Sequence, residues 1–302
     1  MSFSAYRAIS DLLAQPTPAP HKLYAAAQEL AESFAADEYT IEYLPPDASD
    51  LMIRAYQEAA GAGIADAYLR LALLYRYGGR ATMAVGVDND QRRAIEYYRL
   101  AESGGLAVSF QLAESAYYAR LADIAPEAVA RVERLLRDDP VDADAAVLLG
   151  YMHDQGYGME QNSQAAVVLF ERASAGGNHD AAFEMSLLHF SGRGTPVDDA
   201  EGLRWTRLAA DLGSDRAMYN LGAFYAVGRY GLVADAETAV EWYVKAAEIG
   251  HGKAAFTAGL MLLRGDDGLD VDLLRAAQLF EMADRTYGEV DFRLASMGLE
   301  RP

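Results

Sequence analysis

Four alanines set the frame of this 302-residue chain: Ala145, Ala181, Ala217 and Ala254 follow one another at 36, 36 and 37 residues. Each opens a stretch of the form A-x-x-x-L-G-x-x-Y. A glycine turn follows, then an apolar helix closing in a small pair and a glycine. The fullest copy runs Ala217, Leu221, Gly222 and Tyr225, then Gly228 and Gly231, then Asp235 to Ala239, Trp242, Tyr243, Ala246, Ala247 and Gly250. A period of this length is the mark of a repeat array, whose units each leave an apolar face that the neighbouring unit must cover. Such arrays offer extended surfaces to partners far more often than catalytic pockets.

The same small residue can be followed along most of the chain and opens seven helix pairs. Residues 3–15 read as a short helix with Ala5, Ile9, Leu12 and Leu13 in its stripe, ended by Pro16, Pro18 and Pro20. Residues 21–36 resume helical spacing, and Pro45-Pro46-Asp47 stops one element and starts the next, Leu51 to Ala60. That helix closes in Ala59-Ala60-Gly61, so 21–64 form a divergent first unit. The unit opening at Ala67 carries a longer loop over 78–87. The one after it, 107–142, has lost its glycines and closes in Asp139-Pro140. The division expected is a helix and proline-rich linker over 1–20, a repeat array over 21–287, and a capping helix over 288–302.

Steric demands explain the recurring residue types. Gly177, Gly213 and Gly250 end second helices, where a left-handed residue closes the turn. Asp90, Asn162, Asp198, Asp235 and Asp272 precede second helices and can accept from their orphan amides. The opening alanine and the glycine after the leucine let helices approach closely, and Trp205 and Trp242 share one phase as core residues.

Together these motifs resemble the Sel1-like repeat, a relative of the tetratricopeptide repeat. Ala217 to Gly250 matches its pattern almost throughout, with one extra residue between Gly228 and Gly231, and Ala181 to Gly213 matches well. The resemblance covers roughly 67–287. It implies an all-α fold, a right-handed superhelix of about seven antiparallel helix pairs, and a non-enzymatic, adaptor-like role in assembling proteins, often in bacteria. No catalytic residue carries over, and the cysteine staples of some relatives have no counterpart, since the chain has no cysteine.

If the units stack as in tetratricopeptide arrays, positions +2, +6 and +9 from each opening alanine line a concave face. They supply Phe183, Leu187 and Phe190, then Tyr219, then Phe256, Leu260 and Leu263, with Tyr118 and Tyr151 at related positions. This is an apolar, aromatic stripe of the kind that marks interfaces. An aromatic at +2 also belongs to the repeat pattern, so Phe183, Tyr219 and Phe256 have packing between first helices as a second reading. Position −1 changes from Asp144 and Asp180 to Arg216 and Lys253, a gradient that could orient a bound segment. A protein or peptide is the expected partner.

A net charge of −19 suits a basic partner and argues against nucleic acid or an anionic membrane surface. The opening residues lack a signal peptide, and no apolar run is long enough to span a bilayer, so a cytoplasmic location is expected. His21, His153, His179, His189 and His251 are spread along the units without metal spacing, and no cofactor is expected. Gly192-Arg193-Gly194-Thr195 lacks a full phosphate-loop pattern, and Asp266 to Asp272 lacks the glycine and closing glutamate of a calcium loop. An immunity or regulatory protein holding one bacterial effector is the narrower alternative. A hydrolase of peptidoglycan-like substrates is the enzymatic one, and no catalytic constellation supports it.

Overall fold

The computed structural model describes residues 2–36, 45, 47–82 and 88–302, and these fold as sixteen α-helices and one 3-10 turn, with no strand among them. The chain divides into two compact units: Met1–Asp138 with Tyr157–Met159, and Asp139–Gly156 with Glu160–Pro302. In the first are α1 (Ser2–Leu13), α2 (Pro20–Ala36), α3 (Ala48–Gly61), α4 (Ala65–Thr82), α5 (Gln91–Ser103), α6 (Ser109–Tyr118) and α7 (Ala125–Asp138). In the second are α8 (Ala143–Gln155), α9 (Ser163–Ala175), α10 (His179–Ser191), α11 (Asp199–Asp211), α12 (Asp215–Val227), α13 (Ala236–Glu248), α14 (Gly252–Arg264), α15 (Leu273–Thr286) and α16 (Val290–Ser296).

Each regular repeat is a pair of helices held by one turn geometry. The amide of the residue before the second helix donates to a carbonyl near the end of the first. Asp90 reaches Tyr75 at 2.8 Å, Asn162 His153 at 2.8 Å, Asp198 His189 at 3.0 Å, Asp235 Tyr225 at 2.8 Å and Asp272 Leu262 at 3.0 Å. The side chains of those same five residues cap their helices, as their types demand: Asp235 Oδ1 accepts from Thr238 N at 3.1 Å, for example. The first helices of the second unit are capped too, by Asp142, Asn178, Ser214 and His251. His251 does this through Nδ1, which accepts from Ala254 N at 3.0 Å; an acceptor nitrogen carries no proton, which gives that histidine a structural task.

The glycine after the leucine sets how close the two helices of a pair come. A Cβ on Gly150 would lie 2.7 Å from the Phe170 ring, on Gly222 2.8 Å from Tyr243, and on Gly259 2.8 Å from Phe280. The pair α10/α11 departs at both places together. Ser186 replaces the glycine and Thr206 replaces the aromatic, both buried. Ser186 Oγ donates to the Phe183 carbonyl at 2.7 Å and Thr206 Oγ1 to the Gly202 carbonyl at 2.8 Å, so neither hydroxyl is orphaned. Bulk removed from one helix is thus added to the other.

The divergent segments find other solutions. α1 packs on α2 and α3 through fully buried Ile9. In the 78–87 segment, Gly78 leaves helical geometry at φ +65° and ψ −174°, helical residues resume as far as Thr82, and 83–87 lie outside the described residues. In the glycine-poor unit, Arg120 takes a left-handed turn at φ +54°, with its guanidinium 4.6 Å from the Tyr117 ring centroid. Arg131 ties α5 to α7 there, 2.6 Å from Glu102 and 3.0 Å from Glu127. At the far end of the second unit, Val290 and Leu294 of α16 are buried with Met261, Leu279 and Phe280. Trp205 is buried as its phase demands, whereas Trp242 is only half-buried, with Lys245 Nζ 4.1 Å above its ring.

Candidate partner-binding site

The residues expected on the binding stripe separate into three groups. Tyr118 stands in the first unit, 64% exposed, its ring edge-on to Tyr117. Phe183 and Phe256 are core residues, 4% and 7% exposed, so the expectation that they face a partner gives way to packing. Phe256 lies among Phe280 and Tyr287. Phe183 lies beneath the guanidinium of Arg216, 4.2 Å from its ring centroid. The remaining stripe residues, Tyr151, Leu187, Phe190, Tyr219, Leu260 and Leu263, are half-buried in the second unit and keep part of their surface open.

Three of the four charges at −1 serve the joints between repeats. Lys253 lies 5.1 Å from the Tyr219 ring centroid, the same relation that Arg216 has to Phe183 one repeat earlier. Such cation-on-ring contacts contribute about 0.5–2 kcal/mol each. Tyr219 is also stacked on His251 at 4.8 Å. Asp144 accepts from Asn178 Nδ2 at 3.2 Å, and Asp180 has His179 Nδ1 at 3.5 Å. Asp144, Arg216 and Lys253 thus each reach the neighbouring repeat, whereas the contact of Asp180 lies within its own helix.

Around α10 and α12 the structure assembles residues that the spacing argument passed over. Glu184 occupies the position held by Leu148, Asn220 and Thr257 in the other regular repeats. Its side chain is 13% exposed, 3.9 Å from Arg216, and accepts from the Tyr151 hydroxyl at 3.3 Å. Burial pushes its carboxyl above the ordinary value, and Arg216 and Tyr151 offset only part of that. Nearby Asp154 is buried, accepting from Ser163 Oγ at 2.8 Å and pairing with Arg193 at 3.2 Å. Because the folded state holds the Glu184 proton more tightly than the unfolded chain does, stability falls as pH rises above the ordinary glutamate value of 4.5. Glu184→Gln is expected to raise the melting temperature at pH 7, with the gap from wild type closing as the buffer is taken toward pH 4. A gap that stays constant with pH would overturn this reading of Glu184.

One helical turn along α10 from Glu184 is a cavity of about 460 Å³ lined by Leu187, Phe190, Ser191, Arg193, Asn220, Phe224 and Tyr230. Three departures from the repeat build it. Phe190 stands where other repeats have Asp154, Ala226 and Leu263. Gly202 stands opposite, in place of Ala166, Ala239 and Ala276, and a Cβ there would come within 2.5 Å of the Phe190 ring. Tyr230 occupies the turn position of Gly158 and Gly194 and adopts the same left-handed backbone, at φ +54° against +71° and +72°. That conformation costs a residue with a Cβ about 1–2 kcal/mol. The ring stacks on Phe190 at 3.9 Å and 18°, and meets Phe224 edge-on at 4.8 Å. Each of these two aromatic pairs returns about 0.5–1.5 kcal/mol beyond the area it buries, which offsets the backbone cost. The sequence signal was available in these three exchanges, which become visible when the repeats are laid over one another. A second cavity, of about 270 Å³, lies in the first unit beside Glu32, Tyr56 and Arg70.

Among the described residues, no group of three or more His, Asp or Glu could hold a metal ion, and no helix is long and apolar enough to cross a membrane. The Sel1 repeat model matches residues 65–106, 143–178, 179–214, 215–251 and 252–283, more than half the chain, so this protein belongs to the Sel1 repeat family. Repeats of this family generally mediate protein–protein interaction. Among solved structures, the chain is similar to a Sel1 repeat protein from Oxalobacter formigenes, at 24% identity and a TM-score of 0.56, covering 87% of this chain and 99% of that one. An immunity protein from Pseudomonas aeruginosa aligns at 20% identity and a TM-score of 0.41, over 94% and 87% of the two chains. A stretch of 97 residues is 33% identical to the chitin synthase regulator SKT5 of Saccharomyces cerevisiae. That match spans 32% of this chain and 14% of the yeast protein, a small part of its length.

Proposed function

We propose that this chain is a non-enzymatic binding module that acts in the cytoplasm and holds a partner protein or peptide across the first-helix face of its second unit. Tyr151, Leu187, Phe190, Tyr219 and Leu260 are its contact residues, and the partner enters between α10 and α12. The observation that carries this reading is the aromatic cavity beside Phe190, because a repeat whose only task is to pack its neighbours has no use for it. Open aromatic surface beside polar groups is where binding energy concentrates in protein interfaces.

Photocrosslinking tests the face directly. A benzophenone amino acid placed at Ser191, on the cavity, or at Val168, exposed on the second helix α9, is activated in extract from the source cells. A discrete protein adduct is expected from Ser191 and not from Val168. Adducts of equal yield from both, or from Val168 alone, would move the binding surface off the first helices.

A further inference from the structure

We propose that the cavity between α10 and α12 takes an apolar side chain of the partner segment, and that Arg193 and Arg229 hold a carboxylate next to it. This rests on the binding face proposed above and names the chemistry of its occupant. Three features point to it.

The first is that the cavity walls are maintained against local preference. Glycine would serve the turn at 230 with less backbone strain, as it does at 158 and 194. Tyr230 is retained there with its ring against Phe190, and Gly202 gives Phe190 its space. A residue with a side chain held in a left-handed conformation where glycine would serve makes the surroundings of its ring a candidate site.

The second is shape and polarity. The walls are Leu187, Phe190, Phe224 and Tyr230, which suit an aliphatic or aromatic side chain.

The third is the sign of the charge at the mouth. The chain carries −19 overall, yet among the described residues the one charged side chain lining the cavity is Arg193, 47% exposed. Arg229, outside the lining, is exposed, with its guanidinium 4.6 Å from the centroid of the lining Tyr230 ring. The neighbouring carboxylates, Asp154 and Glu184, are buried, their side chains 7% and 13% exposed, and Arg193 already neutralises Asp154. Arg229 and the open part of Arg193 thus present guanidinium groups to water there, and guanidinium groups favour carboxylates. Net charge alone predicts a basic partner; the local arrangement selects an apolar residue followed or preceded by Asp or Glu.

The test uses the full chain and a random peptide library displayed on phage. Selected sequences are expected to share a large apolar residue within two positions of Asp or Glu. A fluorescein-labelled synthetic peptide of that consensus is then titrated against wild type, Tyr230→Gly and Arg229→Gln. Tyr230→Gly relieves the left-handed strain, so its folding is expected to survive, checked by thermal melting. Its affinity is expected to fall about tenfold or more, with a several-fold loss for Arg229→Gln that shrinks as salt is raised. Selection of Lys- or Arg-rich sequences, no selection at all, or equal binding by Tyr230→Gly would each overturn the assignment. If Ser191 still crosslinks a partner in that event, the binding face stands and only the cavity's occupant is wrong; if Ser191 captures nothing, the face itself fails.

Discussion

Gly222→Ser lowers the stability of the chain by about 2 kcal/mol, and Tyr243→Thr made in the same molecule costs less than it does on its own. The single change drives a Cβ to 2.8 Å from the Tyr243 ring, a distance that the ring or the backbone must yield to. Tyr243→Thr alone empties a core position that is 4% exposed and costs about 3 kcal/mol. Put together, the two recreate the Ser186 and Thr206 combination of the preceding repeat, whose hydroxyls both find carbonyl acceptors. The double variant is expected to fall short of the summed losses by about 1–3 kcal/mol, the coupling typical of residues in direct contact. Urea unfolding of all four proteins, followed by tryptophan fluorescence, measures it. Strict additivity would mean that the exchange in α10 and α11 is two unrelated substitutions.

Phe183→Ser is the second large effect, about 3–5 kcal/mol of stability lost. Phe183 fills space under Arg216, and serine would leave a void there and remove the ring that the guanidinium covers. The same substitution read from spacing alone would be a surface change that abolishes binding and spares the helical circular dichroism signal. The two views part cleanly in a urea titration: a midpoint near wild type would restore Phe183 to the exposed stripe. Leu187→Ser, at a half-buried position on the same helix, is expected to shift the midpoint far less.

That contrast shows where the sequence speaks clearly. Opening alanines, closing glycines and Asp or Asn caps are imposed by sterics and unpaired amides inside one repeat, so their spacing alone reveals the helix pairs. Depth is another matter. Phe183, Tyr219 and Phe256 share one phase, yet Phe183 and Phe256 are buried while Tyr219 stays half-open, because what covers each ring comes from a later part of the chain. Spacing names the helix face and leaves unsaid which neighbour reaches over it. The cavity escaped for the opposite reason: Phe190, Gly202 and Tyr230 are exceptions, and a search for pattern passes over exceptions. Glu184 was missed in the same way, since an ordinary surface glutamate and a buried one look alike in sequence. The segment 83–87 lies outside the described residues, and the rest of its loop ends in the same Asp90–Tyr75 hydrogen bond that closes the shorter turns.

The matched glycine and ring within each helix pair also bear on how such a gene can be rearranged. Duplication or unequal crossing-over that cuts between pairs carries both halves of the match and yields a viable array of new length. A breakpoint that joined α10 to α13 would set its serine against the tyrosine, and the product would inherit a collision. Recombination that involves α10 or α11 is therefore tolerated only between pairs, whereas α8/α9, α12/α13 and α14/α15 share the glycine-and-ring match and can exchange halves.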